Sequence, residues 1–139
     1  MPLFQRTFQL ATRGHADVID ITARVERIVS ECGFRHGIVN VSGRGSTLGI
    51  TTIEYEPGCI ADLKRALDAI APENDDYAHN ARWGDHNGYA HLRSALIGTA
   101  GSYPLRDGRL GIGDWQQIVL CDFDERGRER EVTVTVVGE

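Results

Sequence analysis

Short segments rich in β-branched residues dominate the chain, and they restrict its fold more than any other feature. Strands are predicted over 3–12, 18–21, 37–42, 48–55, 99–105, 109–112, 116–122 and 131–137. The last two are expected to form a terminal hairpin, joined by the charged turn 124–128. Because strands outnumber helices and many follow one another directly, the sequence predicts an α+β fold with mostly antiparallel sheet.

Two or three short-to-medium helices accompany these strands. The first is expected to begin with Thr22 as N-cap and to stop at Gly33. The second is predicted from Pro57 to Pro72, with an apolar stripe made of Ile60, Leu63, Leu67 and Ile70. The third is predicted over 88–97. The polar stretch 73–87 between the last two is expected to be an irregular loop, and long loops of this kind are usually functional.

Length and charge narrow the class of protein. The 139 residues predict one domain over 1–139, and 15 basic against 20 acidic residues give a net charge of −5. This charge argues against a nucleic-acid partner. No apolar run approaches the ~20 residues of a membrane helix, and the three cysteines form no CxxC pair. Because the first residues contain no apolar stretch, no signal peptide is expected. A reduced, cytoplasmic protein without a membrane partner is expected.

The polar stretch and the start of the third helix hold three of the five histidines. His79, Asp85 and His91 offer imidazole nitrogens and a carboxylate oxygen, which zinc and similar divalent metals prefer. Because His86 precedes His91 by five residues, it is expected to point away from it. The spacing matches no standard zinc motif such as HExxH. Two interpretations therefore stay open, a metal site and a set of exposed loop histidines.

A second cluster is the glycine-rich segment 43–49, which contains Ser46 and Thr47. Its backbone N–H groups could cradle an anion, or it could be a plain hairpin turn. Glu54 is expected to face inward as a candidate acid or base, although a surface glutamate is equally compatible with the pattern, and Glu56 is expected to cap the second helix. Trp115, at a strand entrance, is expected to pack in the core or at an interface.

Polar side chains beside these clusters complete the candidate set. Arg82 and Arg93 could hold phosphate with their planar guanidinium groups, although an arginine in such a position is more often an ordinary surface residue. Gln116, next to Trp115, could form hydrogen bonds with a heterocycle.

The combined pattern resembles the YjbQ-like family, known as secondary thiamine-phosphate synthase enzymes. The matching segments run in order along nearly the whole chain: 45–56, 77–79, 84–85, 87–98, 107–110 and 113–116. The resemblance implies an α+β fold that assembles as a homotrimer, with sites near the subunit boundaries. It also implies a metal at His79, Asp85 and His91.

The resemblance further implies weak thiamine-phosphate synthase activity, which joins a thiazole phosphate to a pyrimidine diphosphate and releases pyrophosphate. For this small phosphorylated substrate we assign Ser46, Thr47, Arg82 and Arg93 to the phosphates and Glu54, Trp115 and Gln116 to the pyrimidine and catalysis. A two-histidine, one-carboxylate set favours zinc, manganese or iron, whereas departure of a diphosphate usually uses magnesium.

Two segments depart from the family pattern. Many members carry His-Thr-Thr or His-Thr-Ser where this chain has 45–47, so one histidine of the pattern is absent here. Many also carry Gly-Thr-Trp-Gln where this chain has 113–116, with Asp114 in place of the threonine. The alternative to an enzyme is a non-enzymatic homotrimer whose metal site is structural or binds a small phosphorylated ligand.

Overall fold

A computed structural model describes residues 2–139, and these form two antiparallel sheets and four helices. The larger sheet has the strand order β1-β8-β3-β5-β6, and the smaller has β2-β7-β4. The predicted α+β class with mostly antiparallel sheet is therefore confirmed. In chain order, the elements are β1 (Leu3–Ala11), β2 (Asp17–Asp20), α1 (Thr22–Glu31), β3 (Gly37–Gly43), β4 (Leu48–Ile53), α2 (Pro57–Ile70), α3 (Ala78–Trp83), α4 (Gly88–Ile97), β5 (Ala100–Arg106), β6 (Arg109–Leu110), β7 (Gln117–Asp122) and β8 (Glu129–Gly138).

The smaller sheet is the middle layer of the fold. One face of β7, with Ile118 and Leu120, packs against the larger sheet and α1 in the main core. The other face, with Val119 and Cys121, packs against Leu67 of α2 and residues of α4. Because β7 is buried on both sides, its sequence is a continuous apolar run rather than an alternating one.

The predicted terminal hairpin is wrong. β7 pairs with β2 and β4, whereas β8 pairs with β1 and β3 in the other sheet, so the chain changes sheets between Asp122 and Glu129. The same change occurs between β3 and β4, so the segment 43–49 is not a hairpin turn. Both crossings come to lie at the same end of the sandwich, because Leu48 is in register with Asp122.

The helix predictions hold in position and fail in three details. Thr22 is the first residue of α1 and not its cap; Asp20 Oδ1 accepts hydrogen bonds from the Thr22 backbone N–H and hydroxyl. Ile70 is 63% exposed, so it does not belong to the buried stripe of α2. The stretch 73–87 is not without structure, because it contains α3. Glu56 caps α2 as expected, accepting hydrogen bonds from the backbone N–H groups of Gly58 and Cys59.

Candidate metal centre

The junction between α3 and α4 is built around a glycine. Gly88 opens α4 and donates its backbone N–H to Asn80 Oδ1 of α3 at 2.9 Å. A Cβ atom at this position would lie 2.7 Å from Tyr77 Cβ and 2.8 Å from Asn80 Oδ1. Only a glycine lets the two helices approach this closely, and the approach brings their histidines together.

His79 of α3, Asp85 of the connection and His91 of α4 lie side by side. His79 Nδ1 is 3.1 Å from Asp85 Oδ1, and the rings of His79 and His91 are tilted by 39° with centroids 4.4 Å apart. Gly84, with a positive φ of 69°, ends α3 and turns the chain toward Asp85. The three predicted ligands therefore come together in one cluster. His86 is exposed and stays outside it.

The donor set suits a divalent metal, although the side chains do not yet form a coordination sphere. Among residues 2–139, no group of three or more His, Cys, Asp or Glu side chains is arranged to hold an ion. The Asp85 side chain is 40% exposed, but its Oδ1 is buried and makes no hydrogen bond among residues 2–139, although His79 Nδ1 lies 3.1 Å away. A buried carboxylate oxygen without a partner is costly in a folded protein. A metal ion bound by this oxygen and the two imidazoles would satisfy it.

A cavity of about 370 Å³ adjoins this cluster. Its lining joins His91 and Ser94 of α4 to Gly45 and Ser46 of the glycine-rich segment. The two regions that the sequence marked for chemistry, 77–91 and 43–49, therefore meet at one opening.

Thr47 does not line this cavity. It is 5% exposed, and its hydroxyl donates to Asp124 Oδ2 at 3.0 Å and accepts from Arg130 Nη2 at 2.6 Å. Because both functions of the hydroxyl are occupied, Thr47 anchors the segment and leaves Ser46, which is exposed, as its free hydroxyl.

The two predicted phosphate-binding arginines occupy different places. Arg82 is exposed on α3, three residues after His79 and so on the same side of the helix. Its guanidinium lies 5.4 Å from the ring centre of Trp83. Arg93 is only 1% exposed and binds Asp68 and the Ala71 carbonyl. Arg93 therefore does not share a cavity with His91.

The residues assigned to the pyrimidine lie at the far end of the smaller sheet. Ile53 is in register with Gln117, so Glu54 and Trp115 follow the end opposite to Leu48 and Asp122. At about 3.3 Å per residue, Glu54 is roughly 23 Å from Thr47 along β4. Within one protomer, these residues and the His79–Asp85–His91 cluster belong to separate surfaces.

The expectation of an inward Glu54 is wrong, and of the two places expected for Trp115, the core is excluded. Glu54 is exposed rather than inward, because β4 ends one residue earlier. Trp115 is 77% exposed and is not a core residue. Gln116 is held in place, since its Nε2 donates to Thr52 Oγ1 and its Oε1 accepts from the Gly113 backbone.

Sequence reasoning missed a buried carboxylate pair that holds the segments around the site. Asp122 and Asp124 are 0% and 1% exposed. Asp124 Oδ1 accepts from Asn87, which precedes α4, and Asp124 Oδ2 accepts from Thr47 and from Arg128 Nε at 2.8 Å. The signal was present as Asp124–Arg128 and Asp122–Arg130, at spacings of four and eight residues.

Both carboxyl groups are held in the ionised form. Burial alone would raise the pKa of Asp122, but the hydrogen bonds from Arg130, Thr12 and the Asp124 backbone outweigh burial and lower it. Burial likewise opposes ionisation of Asp124, and the bonds from the Glu125 backbone, Thr47 and Arg128 outweigh it and lower that pKa. This network, which we call the Asp122–Asp124 clasp, fixes Thr47 and Asn87 relative to each other.

Comparison with known proteins places the chain in a family. The model of the family described as "UPF0047 protein YjbQ-like" matches residues 6–139. The chain belongs to this YjbQ-like family. A "UPF0047 protein" of Methanothermobacter thermautotrophicus is 33% identical over 139 residues, covering 100% of this chain and 95% of the relative.

Solved structures of YjbQ-like proteins share the fold. A YbjQ-like protein of unknown function from Sulfolobus solfataricus superposes with a TM-score of 0.94 at 30% identity and covers 99% of each chain. A hypothetical protein from Aeropyrum pernix gives 0.90 at 30% identity, with 97% of this chain and 98% of the other covered. No helix among residues 2–139 is long and apolar enough to span a membrane.

Proposed function

We propose that this YjbQ-like protein is a metal-dependent transferase with thiamine-phosphate synthase activity, located in the cytoplasm. In the reaction, the thiazole nitrogen forms a bond to the methylene carbon of the pyrimidine, and pyrophosphate leaves with the electrons of the broken C–O bond. The observation that supports the proposal is the approach of His79, Asp85 and His91 beside a cavity that also contains Ser46.

A divalent ion would supply positive charge for the departing pyrophosphate. The two imidazoles and one carboxylate favour zinc, whereas a diphosphate leaving group favours magnesium. His79, Asp85 and His91 would hold it. Ser46 is the hydroxyl that the glycine-rich segment contributes to the cavity and binds a phosphate oxygen, while Thr47 keeps the segment in place. Arg82 makes no ion pair with any described carboxylate, so its guanidinium is available for the diphosphate.

The site needs a second copy of the chain. Trp115 and Glu54 are too far from His91 to act on the same substrate within one protomer, and Trp115 exposes most of its ring. α4, which lines the cavity through His91 and Ser94, also exposes Leu92 and Leu96, at 40% and 57%. Exposed apolar side chains at the edge of a site favour a subunit boundary. In the homotrimer that we propose, Trp115 of one protomer covers the cavity of the next and stacks on the pyrimidine.

The test is release of pyrophosphate from the two thiamine precursors by the purified protein, with and without added zinc or magnesium. We expect His79→Ala and His91→Ala each to abolish release while the oligomer stays folded. His86→Ala is the matched control, since it removes an exposed histidine of the same segment outside the cluster. Activity that survives in both His79→Ala and His91→Ala would exclude the metal-dependent mechanism.

One observation favours the alternative, a non-enzymatic trimer in which the metal is structural or binds a small phosphorylated ligand. α3 buries none of its residues, so little apolar packing holds it to the fold. An ion shared by His79 of α3 and His91 of α4 would attach it. In that case, chelation lowers the melting temperature and no turnover appears with phosphorylated substrates. Equal stability of the metal-free and metal-bound protein would contradict this alternative.

A further inference from the structure

A second cavity, of about 420 Å³, lies on the other side of α4 from His91. The turn between β1 and β2 contributes His15, α2 contributes Lys64 and Asp68, the segment after α2 contributes Glu73, and α4 contributes Arg93. Because His91 and Arg93 are two residues apart on one helix, they point to nearly opposite sides. This cavity, which we call the Lys64 cavity, is therefore separate from the candidate metal centre.

Arg93 forms a buried, pre-positioned wall of the Lys64 cavity. Its Nε donates to the Ala71 carbonyl at 2.9 Å and its Nη2 to Asp68 Oδ1 at 3.0 Å. The remaining nitrogen, Nη1, has no hydrogen bond within residues 2–139 and is not among the fully enclosed polar atoms there. Since Arg93 lines the cavity and its Nε and Nη2 are occupied, Nη1 is the nitrogen left to bind a ligand.

Lys64 supplies the second cation. It is the only lysine of the chain, against fourteen arginines. No carboxylate of the described residues lies within ion-pair distance of it. The two carboxylates that line the cavity have other partners: Asp68 pairs with Arg93, and Glu73 lies 3.5 Å from His15 Nδ1. The lining therefore offers one unpaired ammonium group next to a partly free guanidinium. This combination suits an oxyanion with at least two acceptor atoms.

Two further features belong to residues that line the cavity or contact its lining. Tyr89 is 2% exposed, its hydroxyl has no hydrogen-bond partner, and Arg93 Cζ lies 5.1 Å from its ring centre. His15 and Ala16 line the cavity and continue a left-handed backbone that begins at Gly14, with φ values of 76°, 52° and 61° for residues 14 to 16. Strained backbone of this kind is concentrated at ligand sites. Here a hydrogen bond from the His15 backbone N–H to the Asp124 carbonyl, at 2.7 Å, holds the strained segment in place.

The geometry points to the Lys64 cavity as a second ligand site, which binds a small oxyanion, a phosphate or carboxylate group, between Lys64 Nζ and Arg93 Nη1. Asp68 and Glu73 on the same wall restrict the ligand, since they repel an anion that extends toward them and favour one that carries an amine there. This site is independent of the metal and of the proposed transferase activity.

A titration with inorganic phosphate at fixed ionic strength, followed by phosphorus NMR, tests this inference. Lys64→Met is expected to weaken saturable phosphate binding at least tenfold, and Lys64→Arg to retain it. Lys64 is exposed on α2, so neither change disturbs the core. Arg65→Met is the matched control, because it removes the same charge from the next residue, which pairs with Asp62 instead.

Three results would overturn the inference. The first is wild-type protein without saturable binding up to about 20 mM phosphate, the range of a weak single-anion site. The second is Lys64→Met protein that binds as tightly as the wild type. The third is equal weakening by Lys64→Met and Arg65→Met, which indicates general charge attraction. Phosphate binding that persists in His91→Ala, together with an unchanged metal content in Lys64→Met, separates this site from the transferase proposal.

Discussion

Asp124 holds the segments around the candidate site, and replacing it with alanine tests this role. The change leaves the Thr47 hydroxyl, the Asn87 amide and the Glu125 backbone N–H without their acceptor, and leaves Arg128 without its carboxylate. Removing one partner from a buried ionic network costs about 3–5 kcal/mol. Because Arg128 is 35% exposed and regains water, we expect the lower end, about 3 kcal/mol.

Urea unfolding at a fixed protein concentration measures this loss, since the stability of an oligomer depends on concentration. A loss of about 3 kcal/mol corresponds to roughly 10 °C in melting temperature for a chain of this size. Glu125→Ala, which removes an exposed carboxylate from the same turn, is the control, and we expect it to change stability by less than about 0.5 kcal/mol. Equal unfolding midpoints for Asp124→Ala and Glu125→Ala would refute the role of the clasp.

Three further predictions concern acid stability, the helix junction and the thiols. Because the folded pKa values of Asp122 and Asp124 lie below the unfolded value of about 4, their stabilisation is complete above that pH and is lost as pH falls through the folded pKa. The urea concentration at the unfolding midpoint should therefore decrease as the pH is lowered below ~4, and it should decrease less steeply in Asp124→Asn than in the wild type. The same pH dependence in both proteins would contradict this. Gly88→Ala should lower the free energy of unfolding by about 1–3 kcal/mol, because the added Cβ forces α3 away from α4. Gly84→Asn, whose side chain would meet no atom within 4 Å at its Cβ, should lower it by under ~1 kcal/mol in the same assay. Cys121 is fully buried and burial raises the pKa of its thiol to about 12, so a thiol reagent at pH 8 should spare it in the native protein; its rapid labelling would contradict the packing.

Local sequence signals predicted the elements better than they predicted the partners of those elements. The bounds of α4, 88–97, can be predicted because Gly98 directly after the helix marks its end in the sequence. The continuous apolar run of β7 likewise predicts that strand. The terminal hairpin was wrong because strand pairing is decided by contacts far apart in sequence. In this fold, β7 is drawn between β2 and β4 rather than toward β8.

The missed helix α3 has a physical explanation. Its six residues bury no side chain, so they carry no apolar stripe from which a helix could be predicted. It is held instead by Asn80, which binds the backbone of Gly88, and that contact exists only once both helices are in place.

The sequence predicted the three clustered residues of the candidate site but not the positions of Arg93 and Glu54. The spacing of His79, Asp85 and His91 left a metal site and a set of exposed loop histidines open, and the family resemblance implied the metal site. The structure places the three side chains together. The helical period alone could have separated Arg93 from His91, since residues two apart face opposite sides. The position of Glu54 depended on where β4 ends, which its alternating pattern does not specify.

The metal content of the purified protein tests the central claim most directly. Elemental analysis after growth with zinc, manganese and iron should find close to one divalent ion per chain in the wild type and in His86→Ala, and a loss of that ion in His79→Ala and His91→Ala. The ion is expected to bind at the cluster of His79, Asp85 and His91, where Asp85 Oδ1 makes no hydrogen bond. A wild-type protein without bound metal, or a His91→Ala protein with undiminished metal, would contradict the account.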